Sequence, residues 1–362
     1  MSTRRKTLVV LTPAFPADES ETNWVTTQQL LVRTLQKEYP SLQVIVLSFY
    51  YPEKTAAYAW HGVPVIPFEG RKNRKLRRIF FWRSLWRQLK KIRAEHELMG
   101  LFSFWCGECA LIGHYFGKRY GIRHFCWLCG QDARATNKMV KLIRPRPEEL
   151  IGMSDFLVKE FYRNHGIRPR YMIPNGIDPE MFPHAGEEAH TGKSAAAGRD
   201  IDILGVGSLS RMKRYDLFVE VVGIVKEAFP GIRARHCGDG EDLANIRQRI
   251  RSAGLEENMI LMGEQRHGEA LGVMQRAKVF LHPSSYEGFG VVCLEALYAG
   301  AHVISFCRPM DREIPRWHIV DTPSAMAAKA IEILSGPAMD HRPVLPYSMA
   351  DMVKAVMQLF ES

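Results

Sequence analysis

The stretch Ser284-Ser285-Tyr286-Glu287-Gly288-Phe289-Gly290-Val291-Val292-Cys293-Leu294-Glu295-Ala296-Leu297 decides how this chain is read. A strand-like run, Val279-Phe280-Leu281-His282-Pro283, leads into a Gly-X-Gly turn, and an apolar helix pattern starts directly after it. Glu287 precedes the turn, and Glu295 stands alone inside the apolar helix. The first N–H groups of a helix have no intrahelical partner, and the helix dipole favours an anion there. Two carboxylates beside such a terminus form the layout of a site for a phosphorylated ligand that carries hydroxyl groups.

Outward from this stretch, β and α signals alternate along the chain. In the first half, strand patterns fall at 7–11, 43–49, 63–68, 100–104, 123–128, 154–158 and 170–173, with helical patterns such as 24–38 and 110–119 among them. After Phe182 the pattern lapses into a small, polar stretch that reads as a connection. It then restarts with strand 202–206, helix 215–228, strand 231–236, helix 242–253, strand 258–261, helix 269–276, strand 278–281, helix 291–299 and strand 302–305. Thr322-Pro323 opens a further helix, and Ser348 with Asp351 opens a last amphipathic one. Alternation of this kind favours parallel sheets covered on both faces. The expected fold is α/β: two facing Rossmann-like domains with an interdomain cleft, where a ligand would meet the carboxyl ends of the strands. The expected division is 1–182, a linker at 183–200, a second domain at 201–345, and a C-terminal helix at 346–362 packing back toward the first.

The net charge of +10 is local. Residues 71–93 hold eleven basic side chains and no acidic one, and without them the chain carries −1. Leu76, Ile79, Trp82, Leu85, Trp86, Leu89 and Ile92 in this segment follow helical spacing. Two readings stay open. The stripe is buried against a sheet with the cations in water, or the helix lies on an anionic membrane with its tryptophans at the interface. Nucleic acid is not expected, because no binding fold accompanies the charge. No charge-free apolar run reaches the roughly 18 residues that a bilayer requires. The expected location is cytoplasmic, with a peripheral place on the cytoplasmic membrane face as the extension of the second reading.

Seven cysteines include Cys106-x2-Cys109 and Cys126-x2-Cys129, a spacing that four-thiolate zinc sites use. Cys126 and Cys129 flank what reads as a buried strand, and residues three apart on a strand face opposite ways. Free buried thiols are therefore expected, and no metal site. Other motifs fail. Gly192-Lys193-Ser194 lacks the earlier glycine of a phosphate loop, having Glu187 in its place. Gly205-Val206-Gly207 and Gly238-Asp239-Gly240 lack the third glycine of a dinucleotide fingerprint.

Four features of the second half occur in order. A strand ends in Gly207-Ser208-Leu209-Ser210-Arg211-Met212-Lys213-Arg214; another ends in Gly238-Asp239-Gly240; a third closes with Met262-Gly263; and Glu287-x7-Glu295 follows. Cations at a strand's carboxyl end suit phosphates. This series, with Ser154–Val158 and the turn Ile173-Pro174-Asn175-Gly176-Ile177-Asp178, resembles the retaining GT-B glycosyltransferases of family 4 (glycosyl transferases group 1), from about residue 104 to 305. The resemblance implies transfer of a sugar from a nucleotide-sugar donor to a glycan or lipid-linked acceptor with retained configuration, without a metal or other cofactor. It implies that Lys213 meets the donor diphosphate, Glu287 the sugar and Glu295 the ribose hydroxyls. The amides of Gly288, Phe289 and Gly290 would lie close to sugar and phosphate. Arg211 is the candidate substitute for an arginine that the family usually has where Ser208 stands, and Gly238 and Met262 line the donor side. Asp132 is the catalytic candidate of the first half, in Cys129-Gly130-Gln131-Asp132, where the family has histidine first. The double glycine often found in the family's first β–α loop is replaced by Ala14-Phe15-Pro16-Ala17-Asp18-Glu19-Ser20-Glu21, an acidic and bulkier loop. An epimerase or phosphorylase on the same fold, or a nucleotide-sugar-binding protein without activity, remain the alternatives at this level.

Overall fold

Alternating β and α segments organise the computed structural model, which describes residues 5–54, 56–68, 78–183, 198–336 and 339–361. The chain divides into two units, one built from 1–175 and 349–362, the other from 176–348. Residues 184–197 of the connection at 183–200, and 71–77 of the basic segment, lie outside the described residues.

Unit 1 runs β1 (Lys6–Ala14), α1 (Thr26–Glu38), β2 (Gln43–Tyr51), β3 (Tyr58–Trp60), β4 (Val63–Pro67), α2 (Arg78–Glu95), β5 (Glu97–Phe104), α3 (Glu108–Tyr120), β6 (His124–Trp127), α4 (Lys138–Ile143), β7 (Leu150–Gly152), α5 (Asp155–His165) and β8 (Tyr171–Met172). Its eight strands lie in the order β3-β4-β2-β1-β5-β6-β7-β8, all parallel except the hairpin partner β3. Central strands of a parallel sheet are covered on both faces, so they read as continuous apolar runs. Leu8 to Leu11 of β1 are accordingly fully buried. Helix α2 closes one face through Phe81, Leu85, Leu89 and Ile92, with Trp82 and Trp86 packed partly buried against the same cluster. Each such fully buried side chain contributes about 1.5–3 kcal/mol relative to exposure.

The strand expected at 154–158 is corrected. Ser154 Oγ accepts the N–H of Leu157 at 3.0 Å and caps α5, so Phe156-Leu157-Val158 is the helix's first turn. The strand of this unit lies just before it, at Leu150–Gly152. A serine followed by an aspartate in the first turn is a helix start, and that local signal outranks the short apolar run.

Unit 2 runs β9 (Ile201–Val206), α6 (Tyr215–Ala228), β10 (Ala234–Cys237), α7 (Leu243–Ser252), β11 (Met259–Leu261), α8 (His267–Gln275), β12 (Ala277–His282), α9 (Val291–Tyr298), β13 (His302–Ser305), β14 (Trp317–Ile319) and α10 (Pro323–Ser335). The wholly parallel sheet has the order β11-β10-β9-β12-β13-β14. That is the doubly wound arrangement, in which strand order reverses between the first strand and the fourth. Here the reversal falls between β9 and β12. Thr322 Oγ1 caps α10, taking the N–H of Ala325 at 3.1 Å.

The last helix, α11 (Met349–Glu361), belongs to unit 1. Its Phe360 ring meets Phe125 edge-on at 4.9 Å, and its backbone carbonyl accepts from Arg123 at 2.6 Å. Gly100 of β5 leaves the room for that ring: a Cβ there would collide with Phe360.

Candidate functional site

At the point of strand reversal, two loops leave the carboxyl ends of β9 and β12 side by side. The β9 loop carries Ser208, Arg211 and Lys213; the β12 loop carries Glu287 and the turn Gly288-Phe289-Gly290. They are tied together by Ser285, whose N–H and hydroxyl both donate to the Met212 carbonyl, at 3.2 and 3.1 Å. This brings Lys213 Nζ to 2.6 Å from Glu287 Oε2, with both side chains about three-quarters shielded from solvent.

A third group joins them. His282 Nε2, on the last residue of β12, lies 3.4 Å from the same carboxylate oxygen. Burial alone pushes the Glu287 carboxyl up, but the His282 contact and the Lys213 charge outweigh it and hold the group at about 2. Glu287 is therefore ionised throughout the neutral range. Burial pushes His282 itself down, so its ring is neutral there.

Gly290 forms the left-handed residue (φ 86°) from which α9 starts, a conformation that glycine adopts without a Cβ penalty. The Phe289 side chain turns inward and is 1% exposed, edge-on to Tyr347 at 5.7 Å, and Gly288 and Gly290 are buried with it. One turn further along α9, Glu295 is 8% exposed and accepts from His267 Nε2 at 2.7 Å. Burial lowers the proton affinity of His267, yet the Glu295 hydrogen bond and charge raise it above the ordinary value. The floor of the region comes from β10 and β11. Gly238 donates its N–H to the Gly263 carbonyl at 2.7 Å, and Met262 Sδ accepts from the Cys237 thiol at 3.7 Å. A Cβ at Gly238 would run into the Gly207 carbonyl, so the β9 and β10 loops approach each other only through glycine.

The sequence-derived residues thus fall into groups. Lys213 and Glu287 are in direct contact, and Glu295 lies on the helix that the Glu287 loop opens. Ser208 and Arg211 are exposed on the β9 loop. Gly238 and Met262 stand at the ends of β10 and β11. Asp132 belongs to unit 1 and is 4% exposed. One carboxylate oxygen accepts the Cys129 N–H at 2.8 Å, closing a short 3-10 turn at Gly130–Ala133, and Asn137 lies 3.5 Å from the other. Burial pushes its carboxyl up to about 7, against the opposing pull of the Cys129 and Cys106 backbone groups. Asp132 lines a unit 1 cavity of about 720 Å³ whose walls include Trp24, Tyr50, Trp105, Glu108 and Asn137.

Sequence reasoning missed His267 and His282. His282 stood in the quoted strand as an ordinary strand-end residue, and the signal available was a polar residue ending an apolar strand just before the turn. His267 gave no signal, since its partner is 28 residues away. All seven cysteines are free, and no group of three or more histidine, cysteine or acidic residues among the described residues is placed to hold a metal. No helix among the described residues is long and apolar enough to cross a membrane.

Residues 187–344 match the family model described as Glycosyl transferases group 1, which places that domain on unit 2. A relative in Schizosaccharomyces pombe, the phosphatidylinositol N-acetylglucosaminyltransferase gpi3 subunit, is 26% identical over 210 residues. That match takes in 57% of this chain and 44% of the yeast protein, so the chain spans less than half the length of this relative. Among solved structures, sucrose-phosphate synthase from Thermosynechococcus elongatus superposes with a TM-score of 0.68 at 17% identity, over 99% of this chain and 97% of that one. HepE from Anabaena, in complex with UDP and glucose, superposes with a TM-score of 0.64 at 14% identity, over 98% and 95%. The fold is that of the GT-B glycosyltransferases, with two parallel-sheet Rossmann-like units.

Proposed function

We propose that this chain, with its glycosyl transferases group 1 domain, moves a sugar from a nucleotide-sugar donor to a glycan or lipid-linked acceptor, retaining the anomeric configuration. The observation that carries the reading is the pair Lys213–Glu287 at the strand reversal of unit 2, the place where doubly wound sheets hold nucleotides. The likeness to a structure that holds UDP and glucose supports the same donor class.

In this reading the diphosphate lies along the β9 loop and the start of α9. As the bond from the sugar's anomeric carbon to the diphosphate oxygen breaks, negative charge grows on the leaving group. Lys213 and the free N–H groups of α9 meet that charge where it develops, which is what lowers a barrier. Glu287, ionised at neutral pH, accepts from sugar hydroxyls and favours an oxocarbenium-like centre. Glu295, fixed by His267, accepts from the ribose hydroxyls. The acceptor hydroxyl attacks from the side the diphosphate leaves, and its proton passes to the departing phosphate oxygen. The reading assigns no metal. Asp132 and the unit 1 cavity are assigned to the acceptor, presented on the cytoplasmic side of a membrane when it is lipid-linked.

Lys213→Ala and Glu287→Ala should each abolish transfer in a donor–acceptor screen while circular dichroism stays that of the wild type. Wild-type turnover in either variant refutes the assignment. A thermal-shift series with UDP-, GDP- and ADP-sugars identifies the donor, since a ligand bound at a hundred times its Kd stabilises by about 2.7 kcal/mol. Product analysis with a labelled donor separates transfer from epimerisation or phosphorolysis.

A further inference from the structure

We infer that the outward face of α2 docks on an anionic lipid surface. Helix α2 carries six cations and, up to Arg93, no acidic residue. Two of them are committed within the protein. Arg78 bonds the buried Glu108, and Arg93 lies over the Tyr120 ring at 4.5 Å. The other four, Arg83, Arg87, Lys90 and Lys91, are exposed and have no side-chain partner among the described residues.

At about 100° per residue these four fall in one arc of the helix, and Ile79 and Phe80 fall in the same arc. Ile79 is 55% and Phe80 66% exposed. The opposite arc, Phe81, Leu85, Leu89 and Ile92, is locked into the core of unit 1. The helix therefore lies fixed on the protein with a cationic outer face and two apolar side chains at its N-terminal end. The tryptophans are not the membrane anchors that the sequence suggested, since Trp82 and Trp86 pack against the core cluster.

Lipid is the occupant that satisfies both halves of this face. Anionic headgroups meet the cations, while long Arg and Lys stems let their charges stay in the headgroup layer. Ile79 and Phe80 reach the acyl boundary, which a phosphate backbone or an acidic peptide does not offer.

The test uses the full chain without donor or acceptor, so its outcome is independent of the sugar-transfer reading. Co-sedimentation is measured with vesicles of phosphatidylcholine alone and of phosphatidylcholine mixed with phosphatidylglycerol. Binding is expected only to the mixed vesicles and should weaken with salt. Each of Arg83→Ser, Arg87→Ser, Lys90→Ser and Lys91→Ser should lower the partition about fivefold, the equivalent of roughly 1 kcal/mol per surface cation. Phe80→Ser should lower it about tenfold at unchanged charge, by losing an inserted ring. All five positions are exposed, so the fold is retained, and circular dichroism checks this. Equal binding to both vesicle types, wild-type partition in the fourfold serine variant, or oligonucleotide binding tighter than vesicle binding and indifferent to Phe80→Ser overturns the inference.

Discussion

His236 makes the fold of unit 2 sensitive to mild acid. The residue lies on β10 at 0% exposure, its ring centroid 4.1 Å from that of Tyr215, and neither ring nitrogen has a hydrogen-bond partner among the described residues. Burial lowers its proton affinity from 6.5 to about 4, and no charged group contributes. Between those two values the unfolded chain binds a proton that the folded chain refuses. Stability from this residue is therefore complete above pH 6.5 and is lost as pH falls toward 4. The difference of about 2.5 pKa units corresponds to roughly 3 kcal/mol, with a slope approaching 1.4 kcal/mol per pH unit. A domain has about 5–15 kcal/mol in all, so this is a sizeable share. His236→Leu removes the titrating group at nearly constant volume. Urea titrations of both proteins at pH 7.5, 6.5, 5.5 and 4.5 (about one pH unit apart, to span the window) give the comparison. The variant's stability relative to wild type should rise by about 2–3 kcal/mol from the highest pH to the lowest. Parallel pH profiles for the two proteins would mean that His236 is hydrated or partnered, and would refute the argument.

Two further outcomes follow from single contacts. His267→Ala should weaken donor binding about tenfold, since a hydrogen bond to a charged group contributes about 1.5–3 kcal/mol. His267→Gln should restore part of it. Because His267 has a raised proton affinity, its pairing with Glu295 is in full force below pH 6.5 and fades as pH rises through the native value. Donor titration calorimetry across that range should show the decline in wild type and not in His267→Gln. Phe360→Ala should cost unit 1 about 3 kcal/mol, the usual price of a buried ring; thermal unfolding measures it.

Much of unit 2 was legible because its signals are local. A helix pattern after a glycine turn, repeated after several strands, fixes where loops leave the sheet. In a parallel sheet those loops necessarily collect at one end, which is why Lys213 and Glu287 meet though 74 residues apart. The histidines escaped because their effect depends on what surrounds the ring, and no spacing rule encodes that. His282 matters only because the Glu287 chain folds back over it, and His267 only because α8 packs beside α9. Unit 1 was harder. Ser154–Val158 looked like a strand until its serine proved to be a cap. The stripe on α2 was visible, but not which of its members faced inward: Trp82 and Trp86 share the buried side, while Ile79, at helical spacing from both, does not.

The membership of α11 in unit 1 bears on how the protein is made. A chain leaves the ribosome from its N-terminus, and domains normally fold in that order. Unit 1 breaks the sequence: its sheet is translated first, yet the groove beside Gly100 and Phe125 is filled only when Phe360 has emerged. Until then, the whole of unit 2 must be synthesised while unit 1 carries an uncovered apolar strip. The second unit can finish before the first. A nascent chain arrested anywhere between residues 176 and 348 would thus expose its defect in the N-terminal half, where a chaperone or protease would recognise it.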